Sequence, residues 1–153
     1  MSSDGYHKGR HFVSKSWGYE DWIANSEKYC GKVLFLKKDK HLSLHYHNIK
    51  DETFYVQSGE VCLTYYDDPA KDQEFIVPDP DQWYTWPYAL LPWNGLEKLE
   101  PQRIQGLNQI ILRPGDSFHI PVGLRHTAYG LLDSYIFEFS TQHFDEDSIR
   151  IIR

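Results

Sequence analysis

Histidines 45 and 47 flank Tyr46 in the segment Leu42-Ser43-Leu44-His45-Tyr46-His47, where apolar and polar residues alternate. Side chains two apart on an extended strand share a face, so both imidazoles can point at one spot while Leu42, Leu44 and Tyr46 point away from it. Glu52 follows a short loop, where a carboxylate can swing back as a third ligand. His126, after the turn Pro121-Val122-Gly123-Leu124-Arg125, can arrive from a distant strand to complete a set of three nitrogens and one oxygen. Such a set suits one divalent transition metal (Mn, Fe, Zn, Co or Ni), and six-fold coordination leaves about two adjacent positions open. A small molecule can then chelate through a carbonyl oxygen and the neighbouring hydroxyl oxygen, which acidifies the adjacent C–H. Taken alone, the His-x-His pair is equally compatible with an exposed edge strand that binds nothing.

Other residue types could take part in that chemistry. Glu138 interrupts the apolar run Tyr135-Ile136-Phe137-Glu138-Phe139, and a carboxylate among aromatics has its pKa raised by desolvation toward the range useful to a general base. Alternation by itself lets Glu138 face either side of its strand. Glu52, if loosely ligated, is the other candidate base. Lys32 could polarise an oxygen or hold an anion, or be a solvated lysine, and Arg125 could orient a phosphate or carboxylate at the rim, or form a surface ion pair. Within Trp83-Tyr84-Thr85-Trp86-Pro87-Tyr88, the rings of Trp86 and Tyr88 are candidates to stack on a sugar face, or to line an interface. Tyr46 is expected to pack between sheets. His119 and His143 read as structural histidines with satisfied hydrogen bonds, and His7, His11 and His41 have no spacing that ties them to the four.

Short strands must position these groups. Lys32–Lys37, Leu42–His47, Thr53–Gln57, Val61–Tyr66, Asn108–Leu112, Ser117–Ile120, His126–Tyr129 and Ser134–Phe139 are apolar or alternating runs bounded by Gly, Pro and Asp, as in a sandwich or barrel. Ser58-Gly59-Glu60 predicts a hairpin, and the strands from Leu42 to Tyr66 a meander. Residues 1–16 are polar and read as an arm, and 17–153 as one all-β domain. Residues 67–107 hold six prolines and three tryptophans without a sustained period, an ordered excursion from the barrel.

With 153 residues the chain suits one core, and a net charge of −6 with no basic stripe argues against nucleic acid as a partner. No secretory leader or membrane-length apolar run is evident, so a cytoplasmic protein is expected. Cys30 and Cys62 read as reduced packing residues rather than a disulfide framework.

The segments His45-Tyr46-His47-x4-Glu52-x6-Gly59 and Gly115-x5-Pro121-x-Gly123-x2-His126 resemble the two motifs of the cupin superfamily. Asp39 stands where the first motif usually opens with Gly, and Gly130 where the second usually closes with Asn. The resemblance implies a double-stranded β-helix, a small jelly roll with a metal in its mouth. Trp17-Gly18-Tyr19-Glu20-Asp21-Trp22-Ile23, Lys32, Leu42–His47 and Phe137–Phe144 are similar to the sugar-isomerase branch, which includes type II mannose-6-phosphate isomerase cupins and D-lyxose isomerases. That likeness implies metal-dependent aldose–ketose isomerisation of a sugar or sugar phosphate through a metal-stabilised cis-enediol. A non-haem iron dioxygenase of the cupin type, a non-catalytic metal- or sugar-binding cupin and a metal-dependent lyase remain the alternatives. Exposed sheet edges and abundant aromatics further predict a homodimer.

Overall fold

Runs of β-branched and aromatic residues between Gly, Pro and Asp punctuation form eleven strands among residues 5–75, 90, 92 and 106–152, which the computed structural model describes. In chain order they are Phe12–Lys15 (β1), Gly18–Asn25 (β2), Cys30–Leu36 (β3), Leu44–His47 (β4), Glu52–Ser58 (β5) and Val61–Tyr66 (β6). Asn108–Leu112 (β7), Ser117–Ile120 (β8), Arg125–Gly130 (β9), Ser134–Ser140 (β10) and Ser148–Ile152 (β11) follow. They build two antiparallel sheets, β1-β2-β3-β10-β5-β8 and β11-β4-β9-β6-β7. From β3 onward the chain passes to the opposite sheet at almost every turn, which is a jelly roll. No helix among the described residues is long and apolar enough to cross a membrane.

This connectivity replaces the expected meander. β5 pairs with β10 and β8, β6 pairs with β9 and β7, and Gly59 is a corner between sheets rather than the tip of a hairpin. Gly59 has φ of +91°, and a Cβ there would overlap Ser134 Oγ and the Asp133 carbonyl oxygen. At Asp39, in the place of the motif's opening glycine, φ is +63°; the short polar side chain of Asp tolerates this left-handed turn. The stretch read as an arm contributes β1, which pairs with β2 from Phe12↔Asp21 to Lys15↔Gly18.

The two inner faces divide the interior along the strands. Leu34, Leu36, Phe54, Val56, Ile120 and Ile136 of the first sheet meet Val61, Leu63, Leu112 and Ala128 of the second, with Trp17 and Leu42. Toward the other end, the same inner faces carry Lys32, Glu138, Glu52, His45, His47 and His126. A second apolar cluster of Leu44, Tyr66, Phe75, Leu90, Leu107 and Ile152 lies on the outside of the second sheet, where the 3₁₀ turn Pro69–Glu74 also packs. Cys30 and Cys62 are free thiols in buried positions. Most of the 67–107 excursion, Trp86 and Tyr88 included, lies outside the described residues.

Gly59→Ala combines a strained φ with overlap, whereas Gly123→Ala at φ +88° meets nothing within 4 Å. Urea unfolding should show a loss of about 1 kcal/mol for Gly123→Ala and about 2–4 kcal/mol for Gly59→Ala; equal losses would contradict the close approach at the corner.

Candidate metal centre

The site grows from two ladder registers. In the second sheet His45 sits opposite His126, with Arg150 on the far side of His45. In the first sheet Lys32 sits opposite Glu138, with Trp22 beyond Lys32 and Phe54 beyond Glu138. Both rows face the gap between the sheets. His45, His47, Glu52, Lys32, Lys50 and Glu138 line a cavity of about 720 Å³ there, and the wholly buried His126 lies behind them. That volume is ordinary for a small-molecule site.

Each of the three imidazoles is oriented by a backbone carbonyl at its Nδ1: Ser43 O at 2.8 Å from His45, Asp147 O at 3.1 Å from His47, and Leu124 O at 2.9 Å from His126. A carbonyl only accepts, so Nδ1 carries the proton and Nε2 of a neutral ring keeps its lone pair. Burial holds His45 well below the ordinary histidine pKa, and the neighbouring His126 and His47 rings add to the effect. Burial brings His47 down to about 4, against the pull of Glu52. Both rings are therefore neutral at pH 7, the form that ligates metals.

The ligating nitrogens of His45, His47 and His126 lie within 4.8 Å of one another. Glu52 joins them from the start of β5, its Oε1 lying 3.1 Å from His126 Nε2 and its Oε2 3.7 Å from His47 Nε2. Among the described residues His47 Nε2, His126 Nε2 and Glu52 Oε1 have no hydrogen-bond partner, and Glu52 Oε2 has the Lys50 ammonium 3.1 Å away. Buried lone pairs facing one another in this way suit a shared cation, and nitrogen and carboxylate donors suit a divalent transition metal. Burial acts to raise the Glu52 carboxyl, and the Lys50 ammonium beside Oε2 opposes it and favours the ionised form.

Beyond these four groups lies a charged network. Lys50, which sequence reasoning passed over, is buried with its Nζ 3.1 Å from Glu52 Oε2 and 3.1 Å from Glu138 Oε2, donating a hydrogen bond to the latter. Burial alone would lower its pKa; Glu138 and Glu52 reverse the sign and raise it. Glu138 faces inward, as the burial of Ser134, Ile136 and Glu138 against exposed Tyr135 and Phe139 shows. Its carboxyl is raised by burial first and by the charge of Glu52 second, against Lys50 and Lys32. Lys32 stands over the Trp22 ring at 4.0 Å and 3.5 Å from Glu20 Oε1.

His143 is part of the site as well as hydrogen-bonded. Its Nδ1 lies 3.2 Å from Lys32 Nζ and 3.3 Å from Lys50 Nζ, so it accepts there and donates through Nε2 to Asp145 at 2.9 Å. His11 and His41 also line the cavity. His119 pairs instead with Asp51 on the exposed side of the molecule.

Several proteins of known structure share this architecture. The capsular polysaccharide assembling protein CapF from Staphylococcus aureus superposes with a TM-score of 0.64 at 14% identity, covering 100% of this chain and 34% of CapF. This chain thus spans about a third of that protein. KdgF from Halomonas sp. superposes with a TM-score of 0.58 at 14% identity over 91% of this chain and 92% of its own. The L-ribose isomerase of Cellulomonas parahominis gives 0.59 at 17% identity, covering 86% of this chain and 68% of its own. The chain has the cupin fold. No protein-family model matches the sequence, and no curated protein matches it.

Two expected placements differ, those of Arg125 and Tyr46. Arg125 neighbours His126 in sequence and so points to the opposite face of β9, where its guanidinium bonds Asp72 at 3.0 Å and the Gly123 carbonyl at 2.8 Å. It stacks 3.7 Å over Tyr46, so the Arg125 charge is spent outside the cavity and Tyr46 packs on the outer face rather than between the sheets. Trp86 and Tyr88 lie outside the described residues.

His47→Ala and His126→Ala should each lower bound divalent metal at least about tenfold, measured by elemental analysis of purified protein. Stoichiometric metal with unchanged affinity in both variants would remove the assignment.

Proposed function

We propose that this cupin is a metal-dependent aldose–ketose isomerase acting on a sugar or sugar phosphate, with His45, His47, Glu52 and His126 as metal ligands and Glu138 as the proton-transferring base. The observation that carries the reading is Glu138, a buried, inward-facing carboxylate separated from Glu52 by a single ammonium group. A divalent metal held by the four ligands would polarise a carbonyl oxygen and the adjoining hydroxyl oxygen. Glu138 then takes the proton from C2 and returns it to C1, while the O2 hydroxyl proton passes to O1, so that the carbonyl moves from C1 to C2 with no net gain or loss of atoms. Its raised pKa makes the carboxylate a stronger base and the resulting acid a usable donor. Lys50 keeps the carboxylate in place through its hydrogen bond, and Lys32, steadied by Trp22, Glu20 and His143, is positioned to hold a substrate oxygen. The cavity admits a monosaccharide by size. An L-ribose isomerase of the same fold, solved with L-ribose and with L-psicose, supports the assignment.

Glu138→Gln should preserve fold and metal content while lowering turnover by about 10²–10⁴-fold. Deuterium from solvent entering C2 of the sugar, followed by NMR across a panel of aldoses, ketoses and their phosphates, measures the reaction. Because Glu138 must be ionised to accept a proton and its pKa is raised, activity should fall with decreasing pH from a point above the 4.5 of an ordinary glutamate. Iron-dependent oxygen uptake without C2 exchange would favour a dioxygenase, and sugar binding without exchange a non-catalytic cupin.

The homodimer belongs to the same proposal. Phe12, Tyr135 and Phe139, at 49%, 39% and 57% exposure, stand on the outer face of the first sheet, beside the packed rings of Tyr19 and Phe35. Light scattering at tens of micromolar should give a dimer mass; a monomer mass would end this part of the proposal.

A further inference from the structure

Between His47 and Glu52 the chain makes a tight turn that supplies two proposed ligands and Lys50. Side-chain packing contributes little to its shape, since Asn48 is exposed and Ile49 is 61% exposed. The turn is shaped instead by one residue from far along the chain. Asp147, buried in the 3₁₀ turn Asp145–Asp147 before β11, accepts the amides of Asn48 at 2.9 Å and Ile49 at 3.0 Å on Oδ1 and that of Lys50 at 2.9 Å on Oδ2. Its own carbonyl accepts from His47 Nδ1. The turn is tied down at each side as well: Gly123 N donates to the His47 carbonyl at 2.8 Å, and Thr141 exchanges two hydrogen bonds with Asp51.

We propose that Asp147 is the positioning residue of the centre: its carboxylate, by gathering three successive amides, presets the turn that aims His47, Lys50 and Glu52 into the cavity, while its carbonyl orients the His47 ring. The inference rests on the metal-site reading and adds a residue that touches neither metal nor substrate. Hydrogen bonds from amides to an ionised carboxylate are among the stronger ones, and a carboxylate offers acceptors on both oxygens. Asparagine has nearly the same shape but turns one of these oxygens into an NH₂ group, which meets an amide N–H donor to donor. Asp147→Asn must therefore loosen the turn without changing its volume.

The test is Zn(II) titration of the full chain, with Asp147→Asn beside the wild type and His47→Ala. Zn(II) affinity of Asp147→Asn should fall about 10–100-fold, the range seen when an outer partner of a ligating group is lost, with far-ultraviolet circular dichroism unchanged. A merely structural role would lower thermal stability of the metal-free protein and leave Zn(II) affinity intact, and that result overturns the proposal. Unchanged affinity in His47→Ala would instead overturn the metal-site reading itself. Hydrogen exchange on metal-free wild-type protein decides the matter even if Asp147→Asn does not fold. The amides of residues 48–50 should exchange at least about a hundredfold more slowly than free peptide amides, whereas exchange at the free rate would show that the turn is not preset.

Discussion

His45 stands opposite His126 in one sheet and Lys32 opposite Glu138 in the other, and the candidate centre depends on both pairings. A strand has a side-chain period of two, so a slip of one residue in either ladder would turn the polar row outward and bring its neighbours in. In β3 those neighbours are Gly31, Val33 and Phe35, and in β10 they are Tyr135, Phe137 and Phe139. Register is protected by the apolar residues that share the inner faces. Leu34, Leu36 and Ile136 must lie between the sheets for the core to close, and their burial carries Lys32 and Glu138 inward with them.

That dependence explains the inward facing of Lys32 and Glu138, which belong to a cluster of buried charged groups. Lys32, Lys50, Glu52, Glu138 and Asp147 are each no more than 5% exposed. Withdrawing a charge from water costs several kcal/mol, and pairing returns only part of it. The apolar end of the jelly roll and the hydrogen bonds that three backbone amides donate to Asp147 must offset the remainder. Such a cluster is a poor way to stabilise a fold, and its retention at one end of the barrel is intelligible as chemistry supported by the rest of the core.

Local pattern made much of this legible. The spans of β6, β7 and β8 are bounded by Gly, Pro and Asp and match the sequence reading, and the alternation of Leu44, His45, Tyr46 and His47 gives the shared facing of the two histidines. Glu138 could not be assigned a face, because aromatic residues occupy the outer positions of β10 and make both sides of the strand read as apolar. Lys50 was missed because a lysine in a loop reads as solvated, and only Glu138, from a distant strand, reveals its burial. Arg125 misled through its adjacency to His126, although the same alternation that placed His45 and His47 together places Arg125 on the far face. β1 and β2 carry mixed polar sequences that acquire their strand form from ladder partners rather than from local preference. The sheet assignment of β5 and β6 was equally out of reach, since a turn such as Ser58-Gly59-Glu60 serves a hairpin and a corner alike.

The jelly-roll connectivity also has a consequence for the order of events during synthesis. His45, His47 and Glu52 emerge early, while His126, Glu138 and Asp147 come from the last third of the chain. A nascent chain bearing the first group has a loose pair of imidazoles and no clamp on its turn, a poor trap for any ion. Pairings between residues so far apart in sequence carry a loop-closure cost that slows folding. Binding of a divalent metal at this candidate centre would thus be thermodynamically coupled to completion of the barrel, and a half-made protein would have little means of sequestering the wrong ion.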